Sequence, residues 1–291
     1  MKRAVFSVDV EDWFQVENLR SKFPLEVWDN QELRIEKSTE IVLGILEEFG
    51  VKATFFVLGW VAERLPNLVK RISESGHEVA SHGFNHVLNH LLSSQELRDD
   101  LERSKKLLED ISGQMVMGYR APSFTLTKEL IRLLPELGYR YDSSLNNFFL
   151  HDRYIKMDIE NRSESNYFVF ENGLVEFPMP LVKFWGRPLF PISGGGYIRI
   201  FPFEVFKMLV DKFLADNDLY VFYMHPWEVD YRQPRVKGIR FSFKLRHYSG
   251  LKGMSSRIRG LIRHLKSRGV RFVRFRDLIH EMDEGNPLLT P

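Results

Sequence analysis

His77-Glu78-Val79-Ala80-Ser81-His82-Gly83-Phe84-Asn85-His86 is the stretch on which the reading of this 291-residue chain turns. The short apolar run at its start predicts a buried strand over residues 77–81. Two histidines four apart follow directly where that strand ends. Such a pair offers two neutral imidazole nitrogens to one metal ion. The pattern is not that of a zincin: His77-Glu78 and His82 are one residue too far apart, and the segment predicts a strand rather than a helix.

Similar apolar runs recur on both sides. Ala4–Val10, Ala53–Leu58, Met115–Tyr119 and Tyr139–Tyr141 predict strands. Helices are expected between them: from Ser38 to about Phe49, over Gly59–Ser75 with a break near Pro66, from Ser93 to about Ile111, and from Thr127 to Leu137. Residues 13–37 lack periodicity and predict a long loop. Strand and helix alternate at roughly 25 to 40 residues per unit, which argues for a parallel sheet with helices outside it.

Regularity breaks over about residues 145–200. There Tyr167–Phe170 and Leu174–Phe177 predict a hairpin around Glu171-Asn172-Gly173. Gly194-Gly195-Gly196 lacks the spacing of a dinucleotide loop and predicts a turn. Alternation then resumes with a helix over Phe203–Leu214, a strand over Leu219–Met224, a basic aromatic loop over 231–253, a helix over Ser255–Arg268, a strand over Val270–Phe275 and a last helix to Met282. One domain over residues 1–291 is expected, with an irregular insertion at about 145–200 and a basic carboxy-terminal extension at about 231–291.

Net charge is only +2, so composition demands no nucleic acid, although much of the basic excess lies after Arg232. No cysteine is present, which excludes disulfides and thiolate metal sites. The amino terminus has two charges and then a short apolar run that meets Asp9, too short for a signal-peptide core. No stretch approaches the ~18 apolar residues of a membrane span. A cytoplasmic protein without a transmembrane segment is expected.

The polar candidates all fall just after predicted strands: Asp9, Glu11 and Asp12, His82 and His86, Arg120, Asp142, His225. In a βα-barrel that end of the strands carries the active site. Two histidines and one carboxylate make a three-ligand metal site with open positions. A second carboxylate can take a proton from water, and a histidine across the rim can protonate a leaving amine. An arginine can fix the base, and an aspartate can orient the acid histidine. Together these suit hydrolysis of an amide or ester.

The set resembles the polysaccharide deacetylases, carbohydrate esterase family 4, of the NodB-homology fold. Ser81 to His86 resembles the family's histidine metal motif, Arg120-Ala121-Pro122-Ser123-Phe124 its Arg-x-Pro motif, Asp142 its fourth-motif aspartate, and Tyr223-Met224-His225 its Leu-x-His. The resemblance implies an α/β fold, a distorted (β/α)7 barrel. It implies Asp9 as general base, Arg120 as its partner, Asp142 as the residue that tunes the acid, and His225 as general acid. The implied cofactor is a divalent metal, zinc foremost, with cobalt or nickel as alternatives. The implied substrate is a glycan containing N-acetylhexosamine.

Two positions depart from the family pattern. Where the family has adjacent aspartates, this chain has Asp9-Val10-Glu11-Asp12, so either Glu11 or Asp12 is left to complete the metal site with His82 and His86. Asp9 and Glu11 share a face if the strand continues, whereas Asp12 needs a turn. The fourth-motif tryptophan is replaced by Asn146. Trp13, Tyr197 and Trp227 are candidate sugar-stacking residues. The Asp-Val-Glu-Asp-Trp-Phe-Gln opening and the His-Pro-Trp-Glu run resemble a bacterial, exosortase-type exopolysaccharide branch. The alternatives are a cyclic-amide hydrolase similar to allantoinase and a non-catalytic glycan-binding barrel.

Overall fold

A computed structural model describes residues 1–146, 166–184 and 187–285. β1 (Arg3–Val10) is buried along all but its first residue, as a strand covered on both faces requires. Two short 3-10 turns, Glu17–Leu19 and Leu25–Asn30, lead to α1 (Ile35–Glu48). β2 (Thr54–Val57) is followed by α2 (Gly59–Arg64) and α3 (Pro66–Glu74), which meet at Leu65 because Pro66 starts a helix better than it continues one. β3 (Glu78–Ser81) precedes α4 (Ser94–Ser112), which opens on a capping box of Ser93 and Glu96. β4 (Gly118–Tyr119), α5 (Lys128–Glu136) and β5 (Tyr141–Asp142) complete the regular part.

β6 (Phe168–Val169), β7 (Val175–Glu176), β8 (Leu181–Phe184) and β9 (Arg187–Pro191) follow, then α6 (Gly195–Ile200) and α7 (Phe203–Asp216). β10 (Leu219–Met224), α8 (Phe241–Tyr248), α9 (Met254–Ser267), β11 (Arg271–Val273) and α10 (Phe275–Gly285) end the described chain. Of the irregular stretch and the basic extension expected from the sequence, residues 147–165, 185–186 and 286–291 lie outside the described residues.

The main sheet runs β10-β1-β2-β3-β4-β5-β7-β6. Every neighbouring pair from β10 to β7 is parallel, and β6 closes the series antiparallel to β7. β11 and β2 share one edge of β1: β11 pairs with Arg3 to Val5, and β2 takes over from Ser7. The result is a curled nine-stranded sheet, eight strands parallel and β6 antiparallel, with helices outside it, a distorted α/β barrel.

Side-chain alternation sorts β1 into two faces. Ala4, Phe6, Val8 and Val10 pack outward into the larger core with the helices. Val5 points inward, in a second cluster with Phe56, Ala80, Tyr141, Phe177 and Val221. Phe275, Leu278 and Ile279 of α10 join that inner cluster and plug the bottom of the barrel. Ser7 and Asp9 follow Val5 on the same inner face, one step and two steps toward the open end.

The hairpin expected around Glu171 to Gly173 is present as β6 and β7, with Gly173 at φ +84°. Three expectations change. α1 starts at Ile35 rather than after Ser38, because Asp12, remote in sequence, accepts from the Arg34 and Ile35 N–H groups at 2.7 and 2.9 Å. The glycines at 194–196 open α6 rather than forming only a turn. Within the expected loop 231–253 lies α8, anchored by buried His247, whose ring nitrogen Nε2 lies 2.8 Å from Gln233 Oε1.

Candidate active site

Asp9 ends the inner face of β1. Its Oδ1 accepts from Arg120 Nη1 at 2.7 Å. Arg120 is fully buried, and three more of its N–H groups donate to Ser7 Oγ at 2.9 Å, Ser143 O at 3.0 Å and Ser143 Oγ at 3.0 Å. Its guanidinium lies 4.1 Å from the Phe56 ring centroid. A buried arginine satisfied in this way is a fixed donor, so it holds the Asp9 carboxylate in one orientation. The remaining oxygen, Oδ2, faces His225 Nε2 at 4.0 Å.

Glu11 continues the inward direction, and Asp12 does not. Asp12 Oδ1 accepts from Trp13 N, while its Oδ2 serves the first N–H groups of α1. Asp12 is therefore corrected from a candidate metal ligand to a remote cap of that helix. Glu11 instead meets His82 and His86, and one potential ligand atom from each of the three lies within 4.8 Å of the others.

The three residues fit a divalent cation by several observations. The Arg120 carbonyl lies 2.7 Å from His82 Nδ1 and can only accept, so that nitrogen carries the proton and Nε2 is left bare. Burial pulls the His82 pKa down to about 4, which keeps the ring neutral. Glu11 Oε2 is buried and lies 2.9 Å from His86 Nε2, yet no donor is aligned on it. Burial raises the Glu11 pKa, but the His86, His225 and His82 rings outweigh it and hold the carboxyl at about 2. Two imidazoles and a carboxylate form a donor set suited to zinc and related divalent ions. His86 sits at φ +51°, and Arg20 Nη2 donates to its carbonyl oxygen, which braces that strained turn.

His225 follows β10 on the opposite rim. Its Nε2 lies 3.1 Å from Glu11 Oε1. Its Nδ1 donates to Glu228 Oε1 at 2.9 Å, and its backbone N donates to the same oxygen at 3.0 Å. Glu228 Oε2 accepts from Arg199 Nε at 2.7 Å. Arg199 also caps α8 by donating to the carbonyls of Arg246, His247 and Ser249. Burial lowers the His225 pKa, but Glu11, Glu228 and Asp9 outweigh it and raise it to about 9. Trp227 is stacked between the His225 ring, at 5.3 Å, and the His247 ring, at 4.3 Å.

Asp142, expected beside the acid histidine, is elsewhere. β5 pairs with β7 so that Asp142 stands opposite Glu176, and Asp142 Oδ1 accepts from Ser144 Oγ at 2.7 Å. Burial raises the pKa of both carboxyls, and mutual repulsion raises Glu176 further, so the pair shares a proton. Glu228 occupies the place that Asp142 was expected to fill. The one signal for it in the sequence was its position three residues after His225, the spacing at which a short helix lets N3 reach back to the N-cap. Arg199 and Glu176 gave no such signal.

Asp9, Glu11, His82, His86, His225 and Trp227 line one cavity of about 430 Å³, together with Tyr197, Phe124 and Tyr223. Leu245 and Ile200 stand at its surface side, each at least half exposed. Trp13 is not part of it. Its ring packs edge-on against Phe14 and Phe23, and its Nε1 donates to Glu32 O. The wall behind His225, vacated by the missing fourth-motif tryptophan, is Trp227.

Residues 27–141 match the model of the polysaccharide deacetylase family, and residues 143–279 match a domain of unknown function, DUF3473. A peptidoglycan deacetylase-like protein of Gibberella zeae is 32% identical over 130 residues, 43% of this chain and only 38% of the relative's length. A peptidoglycan deacetylase of Helicobacter pylori is 27% identical over 270 residues, covering 84% of each chain. The crystal structure titled a polysaccharide deacetylase, with its function qualified as unproven, from Mycobacterium smegmatis shares the fold with a TM-score of 0.65, at 23% identity over 99% of this chain and 92% of that one. Residues 27–141, which carry the histidine pair, thus belong in sequence with the polysaccharide deacetylase family, and along nearly its whole length the chain shares that fold.

Proposed function

We propose that this protein is a divalent-metal-dependent hydrolase that removes N-acetyl groups from N-acetylhexosamine units of a glycan. The observation that carries the reading is the convergence of Asp9, the Glu11–His82–His86 triad and His225 on one cavity. Glu11, His82 and His86 would hold the cation, which when bound supplies positive charge for the acetyl oxygen and for the attacking water. Asp9, restrained through Oδ1 by Arg120, keeps Oδ2 toward the cavity and takes the proton of that water.

His225 stands across from Asp9 with Nε2 toward the reacting centre and Nδ1–H on Glu228. Its Nδ1–H on Glu228, together with the nearby Asp9 carboxylate, favours the protonated ring, so it can pass the Nε2 proton to the departing amine. Tyr197 supplies a ring face against which a pyranose can stack, whereas both faces of Trp227 are covered by His225 and His247. The cavity reaches surface residues at Leu245 and Ile200, which favours a chain end or an extended glycan over a small cyclic amide.

The test is acetate release from N-acetylglucosamine oligomers after chelation and after restoring zinc, cobalt or nickel. Activity is expected to vanish on chelation and return with metal. Turnover that survives full chelation, or hydrolysis of a cyclic amide in preference to the oligomers, would overturn the reading.

A further inference from the structure

Between Tyr231 and Arg276 the chain carries fifteen lysines and arginines and no aspartate or glutamate, so the rest of the chain is net negative. The front of this segment is a surface of its own. Arg232, Arg235, Lys237, Arg240, Lys244 and Arg246 are all exposed, and among the described residues none forms an ion pair with a carboxylate. Further along, by contrast, Arg259 pairs with Glu48 and Arg268 with Asp211. The loop and α8 hold together: Tyr248 OH donates to Pro234 O and accepts from Val236 N, and the Arg235 guanidinium sits 4.4 Å from the Tyr248 ring centroid.

On this cationic surface stand two large apolar side chains one helical turn apart, Phe241 at 77% exposure and Leu245 at 55%. Unpaired cations alone would suit any polyanion. Exposed Phe and Leu on the same short helix, flanked by Arg240 and Lys244, need an apolar phase next to the anionic one. That combination is found at an anionic lipid surface, where rings and aliphatic chains enter the headgroup boundary and cations meet the lipid charge. No described helix is long and apolar enough to cross a membrane.

We infer that α8 and the loop before it dock this protein on membranes bearing anionic lipid. Leu245 and Ile200 line the mouth of the active-site cavity, so docking turns that mouth toward the bilayer. The substrate class would then be a glycan tethered to lipid. That last clause rests on the deacetylase reading, whereas the docking itself does not.

The test is co-sedimentation of the full chain with phosphatidylcholine vesicles and with vesicles also containing phosphatidylglycerol. Binding is expected only with the anionic lipid, weakening as salt rises. Arg240→Gln with Lys244→Gln is expected to weaken partitioning about thirty-fold, and Phe241→Ser by roughly ten-fold. None of these residues lines the cavity, so acetate release from a soluble oligomer should be unchanged, which separates failed docking from failed catalysis. Equal binding to neutral vesicles, or no binding to either, would overturn the inference. So would full competition by heparin with no effect of Phe241→Ser, which would make the surface a polyanion site.

Discussion

Glu228→Gln isolates the way His225 is held. Glu228 receives three donors in the wild type. His225 Nδ1 and His225 N meet Oε1, and Arg199 Nε meets Oε2. An amide has one oxygen, so it cannot serve both sides. With its oxygen turned to the Arg199 guanidinium, the amide presents its NH2 to both His225 Nδ1 and the His225 backbone N–H. The imidazolium, which carries protons on both nitrogens, is then opposed, and so is the backbone N–H. Losing one charge-assisted hydrogen bond is worth about 1.5–3 kcal/mol. That predicts a fall in kcat of roughly ten- to hundred-fold, with KM changed little because the loss lies in the proton-transfer step. Steady-state acetate release measures both constants. Asp142→Asn is the control, since Asp142 serves Ser144 and Glu176 instead. A kcat for Glu228→Gln within about two-fold of wild type, or an equal fall for Asp142→Asn, would refute the reasoning.

Three further predictions concern stability. His77 is buried, its Nδ1 accepts from Ala53 N at 3.0 Å, and burial lowers its pKa to about 4. The unfolded ring takes up its proton near 6.5 and the folded one does not, so stability present above pH 6.5 is lost as pH falls toward 4, by up to about 3 kcal/mol. Urea midpoints against pH should show this slope, and His77→Asn, whose Oδ1 can still accept from Ala53, should flatten it; superimposable slopes would contradict the assignment. Glu176→Gln keeps a neutral group opposite Asp142 and should cost under about 1.5 kcal/mol, whereas Glu176→Ala leaves the Leu145 N–H, held at 2.8 Å, without its acceptor and should cost more; equal losses in urea unfolding would exclude the shared proton. Phe275→Ala removes the ring that closes the barrel floor against Phe56, Tyr141 and Phe177 and should cost about 3–5 kcal/mol by the same assay, while a loss below about 1 kcal/mol would mean that the floor does not depend on it.

Local patterning made most of this fold legible. Parallel strands buried on both faces appear in sequence as short apolar runs, and the residue after each run lies at the functional end, so Asp9, His82, His86, Arg120 and His225 could be placed by position alone. What escaped depends on long-range partners. α1 begins where Asp12 reaches it from 22 residues away, and no pattern near Ile35 announces that. Asp142 was drawn from its expected place by a strand pairing with Glu176 across an irregular stretch. Arg199 lies 29 residues from the Glu228 it supports. The choice between Glu11 and Asp12 was open because alternation holds only while the strand continues, and the strand ends at Val10.

That choice is also where the account meets its most direct test. Zinc content is measured by mass spectrometry on wild type, Glu11→Gln and Asp12→Asn after chelation, zinc loading and dialysis. The account predicts about one ion per chain in wild type, the same in Asp12→Asn despite a less stable fold, and loss of the ion in Glu11→Gln. Zinc retained by Glu11→Gln but lost from Asp12→Asn would contradict it.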